Sequence, residues 1–126
     1  FNPRSLTEAG IHPVAGAADI HAAREAASRI EVAPAVMAYL VDVCRATRTS
    51  PAVRLGVSPR GATSLLRTAR VWAFLQGRGF VTPDDVKTMA PSTLAHRLGL
   101  RAEANLEGIT AVNVISGVLA ATPVPR

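Results

Sequence analysis

The chain is short of cysteine, of aromatic rings and of lysine, and each shortage excludes something. Cys44 is its single cysteine, which rules out an internal disulfide and a thiolate metal cluster. It lies in an apolar helical stretch and is expected to be buried and structural. The three histidines, His12, His21 and His96, are scattered. None has a His-x-x-x-His or Glu-x-x-His partner, so no metal site is expected. Aromatic residues make up 4% of the chain, so the core must be built from Ala, Val, Leu and Ile. No apolar run approaches the roughly 20 residues that cross a bilayer. No segment has the basic start and apolar middle of a signal peptide, and a cytoplasmic location is the expectation. Acidic residues are missing from the whole interval between Asp42 and Asp84.

What remains is enough for one folded unit. The 126 residues are 48% hydrophobic and 18% charged, the size and composition of one ordinary domain. Lys+Arg number 14 against 9 Asp+Glu, a net charge of +5, and Lys87 is the one lysine. The acid-free interval holds Arg45, Arg48, Arg54, Arg60, Arg67, Arg70 and Arg78, so the excess is a local positive field. The chain opens on Phe1-Asn2-Pro3-Arg4 rather than Met and reads as a piece of a longer protein.

The order of apolar residues and breakers gives an all-α bundle of five or six helices. Residues 1–16, with prolines at 3 and 13 and glycines at 10 and 16, read as a linker arm, and residues 17–126 as the helical domain. Asp19 to Ile30 is an Ala-rich helix that Asp19 would cap. Pro34 opens a second helix to about Arg48, with Val36, Met37, Leu40, Val43 and Cys44 on one face, and a loop runs from there through Gly56. Ser58-Pro59 starts a third, which runs to about Gln76 and stops at Gly77-Arg78-Gly79. Its core stripe is Ala62, Leu65, Leu66, Ala69, Trp72 and Ala73, while Val71, Phe74 and Leu75 lie off it as a packing surface for a neighbour. Thr82-Pro83 with Asp84 and Asp85 opens a short helix carrying Val86 and Met89 inward. Pro91 is expected to interrupt it and Ser92 to restart a turn through Leu98. Leu98 to Ala102 allows a very short strand. Thr110 caps a last helix containing Val112, Ile115, Val118 and Leu119, and the Pro-rich tail is not helical.

Arg60 stands out among the arginines by its address. It sits in the first turn of the third helix, where free N–H groups and the positive end of the dipole favour anions and disfavour a cation. A guanidinium placed there makes a joint anion site with the helix end. At ~100° per residue, Arg60, Ser64 and Arg67 share the face opposite the core stripe, so Arg60 should point out of the domain.

The run Gly56-Val57-Ser58-Pro59-Arg60-Gly61-Ala62, succeeded by Leu65-Leu66-Arg67-Thr68-Ala69-Arg70, resembles the helix that carries the sensor 2 arginine in MoxR-family AAA+ ATPases. Val81-Thr82-Pro83-Asp84-Asp85-Val86-Lys87, Ala90-Pro91, His96-Arg97-Leu98 and the closing Val124-Pro125-Arg126 are similar to the segment C-terminal to that helix in the family. The match runs from about Val32 to Arg126. It implies a C-terminal helical lid and not the motor. There is no Gly-x-x-x-x-Gly-Lys-[Ser/Thr] phosphate loop. Nor is there an apolar strand ending in magnesium-binding acids; Asp84 and Asp85 are helix-opening residues. ATP and Mg²⁺ would be held mainly by a core domain, and this chain alone should not hydrolyse ATP.

The resemblance further implies that Arg60 reaches the γ-phosphate as the catalytic contribution of the lid, with Ser58 and Arg67 beside it as nucleotide-binding candidates. It implies a ring of subunits, an ATPase in the full-length protein, and chaperone-like action on partners that often carry von Willebrand factor A domains. Gly61 departs from the small alanine expected after that arginine. It should loosen the first turn by up to about 1 kcal/mol.

Two other readings fit the same composition. One is a small helical DNA-binding module with the arginines on phosphates; no Asn or Gln near the start of the 58–76 helix is placed to read bases, and nucleic acid is not the expected partner. The other is a protein-interaction domain of the same fold with no nucleotide role. On the lid reading, the arginines other than Arg60 would meet acidic surfaces of the adjacent domain.

Overall fold

The computed structural model describes residues 6–126. Six α-helices carry the fold: α1 (Ala17–Ser28), α2 (Pro34–Thr49), α3 (Pro59–Leu75), α4 (Pro83–Leu94), α5 (Ala102–Leu106) and α6 (Ala111–Ala121). A 3₁₀ turn (Ala95–Arg97) comes after α4, and two short strands, β1 (Val53–Leu55) and β2 (Gly99–Leu100), pair antiparallel. The all-α expectation holds, with one minimal sheet. β1 occupies a stretch that reads as loop in sequence; its partner is β2, far along the chain, which no local pattern reveals. Of the arm, residues 1–5 lie outside the described residues. Leu6 to Gly16 is exposed, turning at Gly10 with φ +76°.

Helix starts obey the caps. Ser58 Oγ accepts from Gly61 N–H at 3.2 Å ahead of Pro59. Thr82 Oγ1 accepts from Asp85 N–H, and Thr110 Oγ1 from Asn113 N–H at 3.1 Å. α1 begins two residues earlier than expected. Asp19 is its third residue rather than its cap, and its carboxylate accepts from Gly16 N–H at 2.7 Å. α3 ends as expected, with Gly77 in the left-handed region at φ +72°.

Pro91 does not break α4, which runs through it to Leu94. A proline costs the helix one hydrogen bond. Here it falls near the end of the helix, where Ala90, Thr93 and Leu94 are all buried and hold the turn. The segment after β2 forms the five-residue α5, with Ala104 buried.

The core is aliphatic. Leu65, Ala69 and Ala73 of α3 share one buried cluster with Val43, Leu40 and Cys44 of α2, Val86, Ala90 and Leu94 of α4, and Ile115 of α6. Leu66 and Trp72, expected in the stripe, are half-buried at its flanks, as is Met89. Tyr39, not expected in the α2 face, is buried there, and burial raises its pKa. In α6 the inward residues are Val114, Ile115 and Val118, and Val112 is exposed. Burial pushes the Cys44 thiol up to about 11, with the Arg48 charge opposing the shift, so it rests as an inert thiol.

Candidate functional site

The turn before α3 is fastened on both sides of one residue. Val57 is fully buried, and its N–H donates to Thr47 Oγ1 at 3.0 Å. Its carbonyl accepts from Arg48 Nε at 3.0 Å. Thr47 is itself buried and donates to the Cys44 carbonyl at 2.6 Å. Thus α2 grips both polar groups of the residue that launches α3. Sequence alone singles out neither Thr47 nor Arg48, because the contact joins residues 9 and 10 positions apart across a turn.

Gly56 and Gly61 make the grip possible. A β-carbon on Gly56 would stand 2.8 Å from Arg48 Cα and 2.9 Å from its backbone nitrogen. A β-carbon on Gly61 would stand 2.6 Å from Val57 Cγ1. The glycine that departs from the expected alanine is therefore the residue that lets Val57 fill the space beneath the first turn.

On this base Ser58 and Arg60 are exposed at the start of α3. Ser58 is engaged as the cap. Arg60 is the second helical residue, and no carboxylate among the described residues pairs with it. Ser64 and exposed Arg67 continue the same stripe, with Ser64 Oγ donating to the Arg60 carbonyl at 3.0 Å. The three residues thus share one outward face, as their spacing demands.

Clefts flank this stripe on both sides. Between α1 and α3 lies a cavity of about 270 Å³ lined by Arg24, Ala27, Ser28, Arg67, Arg70 and Val71. Arg70 Nε is buried there without a hydrogen-bond partner. Between α3 and the end of α4 lies a second, of about 450 Å³, whose walls include Arg67, His96 and Arg97. Val71 (44% exposed) and Leu75 (67%) remain open at the far end of the helix, while Phe74 packs against the core instead of joining them.

Arg78 corrects the expectation that the arginine sector is left for another domain. Its terminal nitrogens make a two-pronged pair with Asp85, at 2.7 Å for Nη1–Oδ2. Asp85 is 2% exposed and also accepts from Thr82 N–H and Oγ1. Burial pushes its pKa up, but the Arg78 and Thr82 hydrogen bonds outweigh that and hold the carboxyl below its ordinary value. Asp85 is thus a structural capping residue. Arg45, Arg54, Arg60, Arg67 and Arg70 have no ion-pair partner among the described residues. Nor does any group of three potential metal-ligating side chains form among them. No helix of the described residues is long and apolar enough to cross a membrane.

The AAA lid domain model matches residues 45–118, more than half the chain, and the chain belongs to that family. Its relatives place it in the MoxR branch, as the C-terminal lid of a MoxR-family AAA+ ATPase. It is 36% identical over 115 residues to the uncharacterized protein YeaC of Bacillus subtilis, covering 91% of this chain and 36% of that protein. It is 39% identical over 84 residues to protein MoxR of Methylorubrum extorquens (56% and 24%). It is 32% identical over 117 residues to chaperone MoxR1 of Mycobacterium tuberculosis (86% and 31%). A crystal structure of a suggested ATPase from Cytophaga hutchinsonii superposes with a TM-score of 0.76 at 26% identity, over 81% of this chain and 34% of that one. The chain spans about a third of the length of these proteins, or less.

Proposed function

We propose that this lid supplies Arg60 as the sensor 2 arginine to ATP bound, with Mg²⁺, by an AAA+ core domain, and couples the nucleotide state to movement of subunits in a ring. The observation that carries the reading is the placement of Arg60: a cation without an ion-pair partner among the described residues, at a helix N-terminus, on a turn locked by Thr47, Arg48 and Val57. A fixed guanidinium near the charge that develops in phosphoryl transfer stabilises the transition state. Because it meets ATP and ADP differently, it also shifts the balance between lid positions. Arg67, about two turns further along the same face, and the Ser58 hydroxyl stand beside it toward the phosphates.

The arm at residues 1–16 is read as the connection to the core. Arg45, Arg54 and Arg70 are read as contacts to acidic surfaces of that core or of a neighbouring subunit, with Val71 and Leu75 as the apolar part of the same surface. The name of chaperone MoxR1 supports chaperone-like work on partner proteins, and von Willebrand factor A domain proteins are the partner class proposed.

The test is Arg60→Ala in the full-length protein. ATP turnover is expected to fall at least about tenfold, with helical content and melting temperature unchanged. Turnover near wild type would remove the sensor role.

A further inference from the structure

We propose that Arg97 is a third cation of the nucleotide-facing site, and that the cleft between α3 and the end of α4 takes phosphate oxygens between Arg97 and Arg67. This rests on the sensor 2 reading of Arg60.

Three observations lead to it. First, Arg97 lies against the first turn of α3: its Cδ is 3.5 Å from where a β-carbon on Gly61 would be. Gly61 is the residue after Arg60, so the Arg97 stem lies against the same first turn that carries Arg60. Secondly, Arg97 is held by its stem. Nε donates to the Thr93 carbonyl at 3.1 Å, and the two terminal nitrogens make no hydrogen bond among the described residues. A guanidinium fixed in this way loses little freedom when it takes an anion. Thirdly, the cleft it borders carries no carboxylate. Its walls include Arg67, Arg97, His96, Ser64, Ser92 and Thr68. The Ser64, Thr68 and Ser92 hydroxyls already donate to backbone carbonyls, so what the wall offers an anion is its pair of guanidiniums, whose several N–H groups suit oxygens that accept several hydrogen bonds at once. The α1–α3 cleft, with an apolar floor and Arg67 shared, has no comparable link to the start of α3.

In sequence, His96-Arg97 registers only as part of a similar segment. The packing of the Arg97 stem on Gly61 joins residues far apart in the chain, so no local pattern exposes it.

The experiment uses the full-length protein and compares Arg97→Gln and Arg97→Lys with wild type. Binding of Mg²⁺–ATPγS is measured by calorimetry, and ATP turnover by steady-state kinetics. Arg97→Gln is expected to weaken ATPγS binding and raise KM for ATP about tenfold, with kcat changed by no more than about threefold. Arg97→Lys, which keeps the charge but loses the Nε tether to Thr93, is expected to regain part of the affinity, and millimolar guanidinium to restore part of it to Arg97→Gln. A dissociation constant for Arg97→Gln within about twofold of wild type overturns the proposal. So does lost turnover with unchanged ATPγS affinity, which would make Arg97 a domain contact. If Arg97→Gln melts early, the lysine variant decides: affinity as poor as in the glutamine variant, with no recovery by guanidinium, also overturns it. Impaired turnover in Arg60→Ala beside unaltered affinity in Arg97→Gln would defeat this proposal alone. Unimpaired turnover in Arg60→Ala would defeat the sensor reading on which it rests.

Discussion

Gly56 lies so close to Arg48 that a β-carbon on it would meet the Arg48 α-carbon at 2.8 Å. The obstacle is helix backbone, which cannot turn aside as a flexible side chain would. Gly56→Ala must therefore push the turn off α2 and strain the Arg48–Val57 hydrogen bond. A loss of about 1–3 kcal/mol is expected, read as a lower midpoint in urea with an unchanged slope. A neutral Gly56→Ala would mean that the turn is not held against α2.

Thr47 tests the same grip through a hydrogen bond. Valine matches threonine in shape but leaves the buried Val57 N–H without an acceptor. Thr47→Val is expected to cost about 1–3 kcal/mol, and amide exchange at Val57 should accelerate ahead of exchange elsewhere in α3.

Gly61 separates two opposing effects. Alanine is the better helix former by up to about 1 kcal/mol, yet its methyl would press on Val57 Cγ1, buried and unable to move away. Gly61→Ala is expected to destabilise by about 1–2 kcal/mol. In a double-mutant cycle, Val57→Ala should recover part of that loss. A stabilising Gly61→Ala would show that helix propensity prevails over the contact.

The Arg78–Asp85 pair sets an acid limit. The Asp85 carboxyl is held below its ordinary value when folded, so its contribution is present above the unfolded value of about 3.9 and is lost as pH falls through the folded one. Asp85→Asn is expected to lower the melting temperature at pH 7, because it removes the charge of a buried carboxylate that accepts from Arg78 and from the Thr82 cap. The gap between wild type and variant should close below about pH 4. A gap that persists undiminished in acid would show that the charge is not what the pair contributes.

The helices are legible in the sequence because their signals are local. Ser58-Pro59, Thr82-Pro83 and Thr110 each announce a start within a few residues, and the spacing of Leu65, Ala69 and Ala73 announces the face that is buried. Arg60 is legible for the same reason, as a cation at a helix start. What escapes depends on distant partners. β1 exists through Gly99 and Leu100, Thr47 and Arg48 act on Val57 across a turn, and Arg97 reaches Gly61 from the other side of α4. Arg78 is misjudged because a charge list does not show that the Thr82 cap holds Asp85 within its reach. Pro91 is misjudged because intrinsic propensity ignores the buried residues on both sides of it.

Arg60 at the nucleotide is the central claim, and a crystal structure of the full-length protein with Mg²⁺–ATPγS tests it most directly. The expected result is the Arg60 guanidinium within hydrogen-bond distance of a γ-phosphate oxygen, from its own subunit or the neighbouring one. Arg60 turned to solvent, or paired with a core carboxylate away from a fully bound nucleotide, would contradict it.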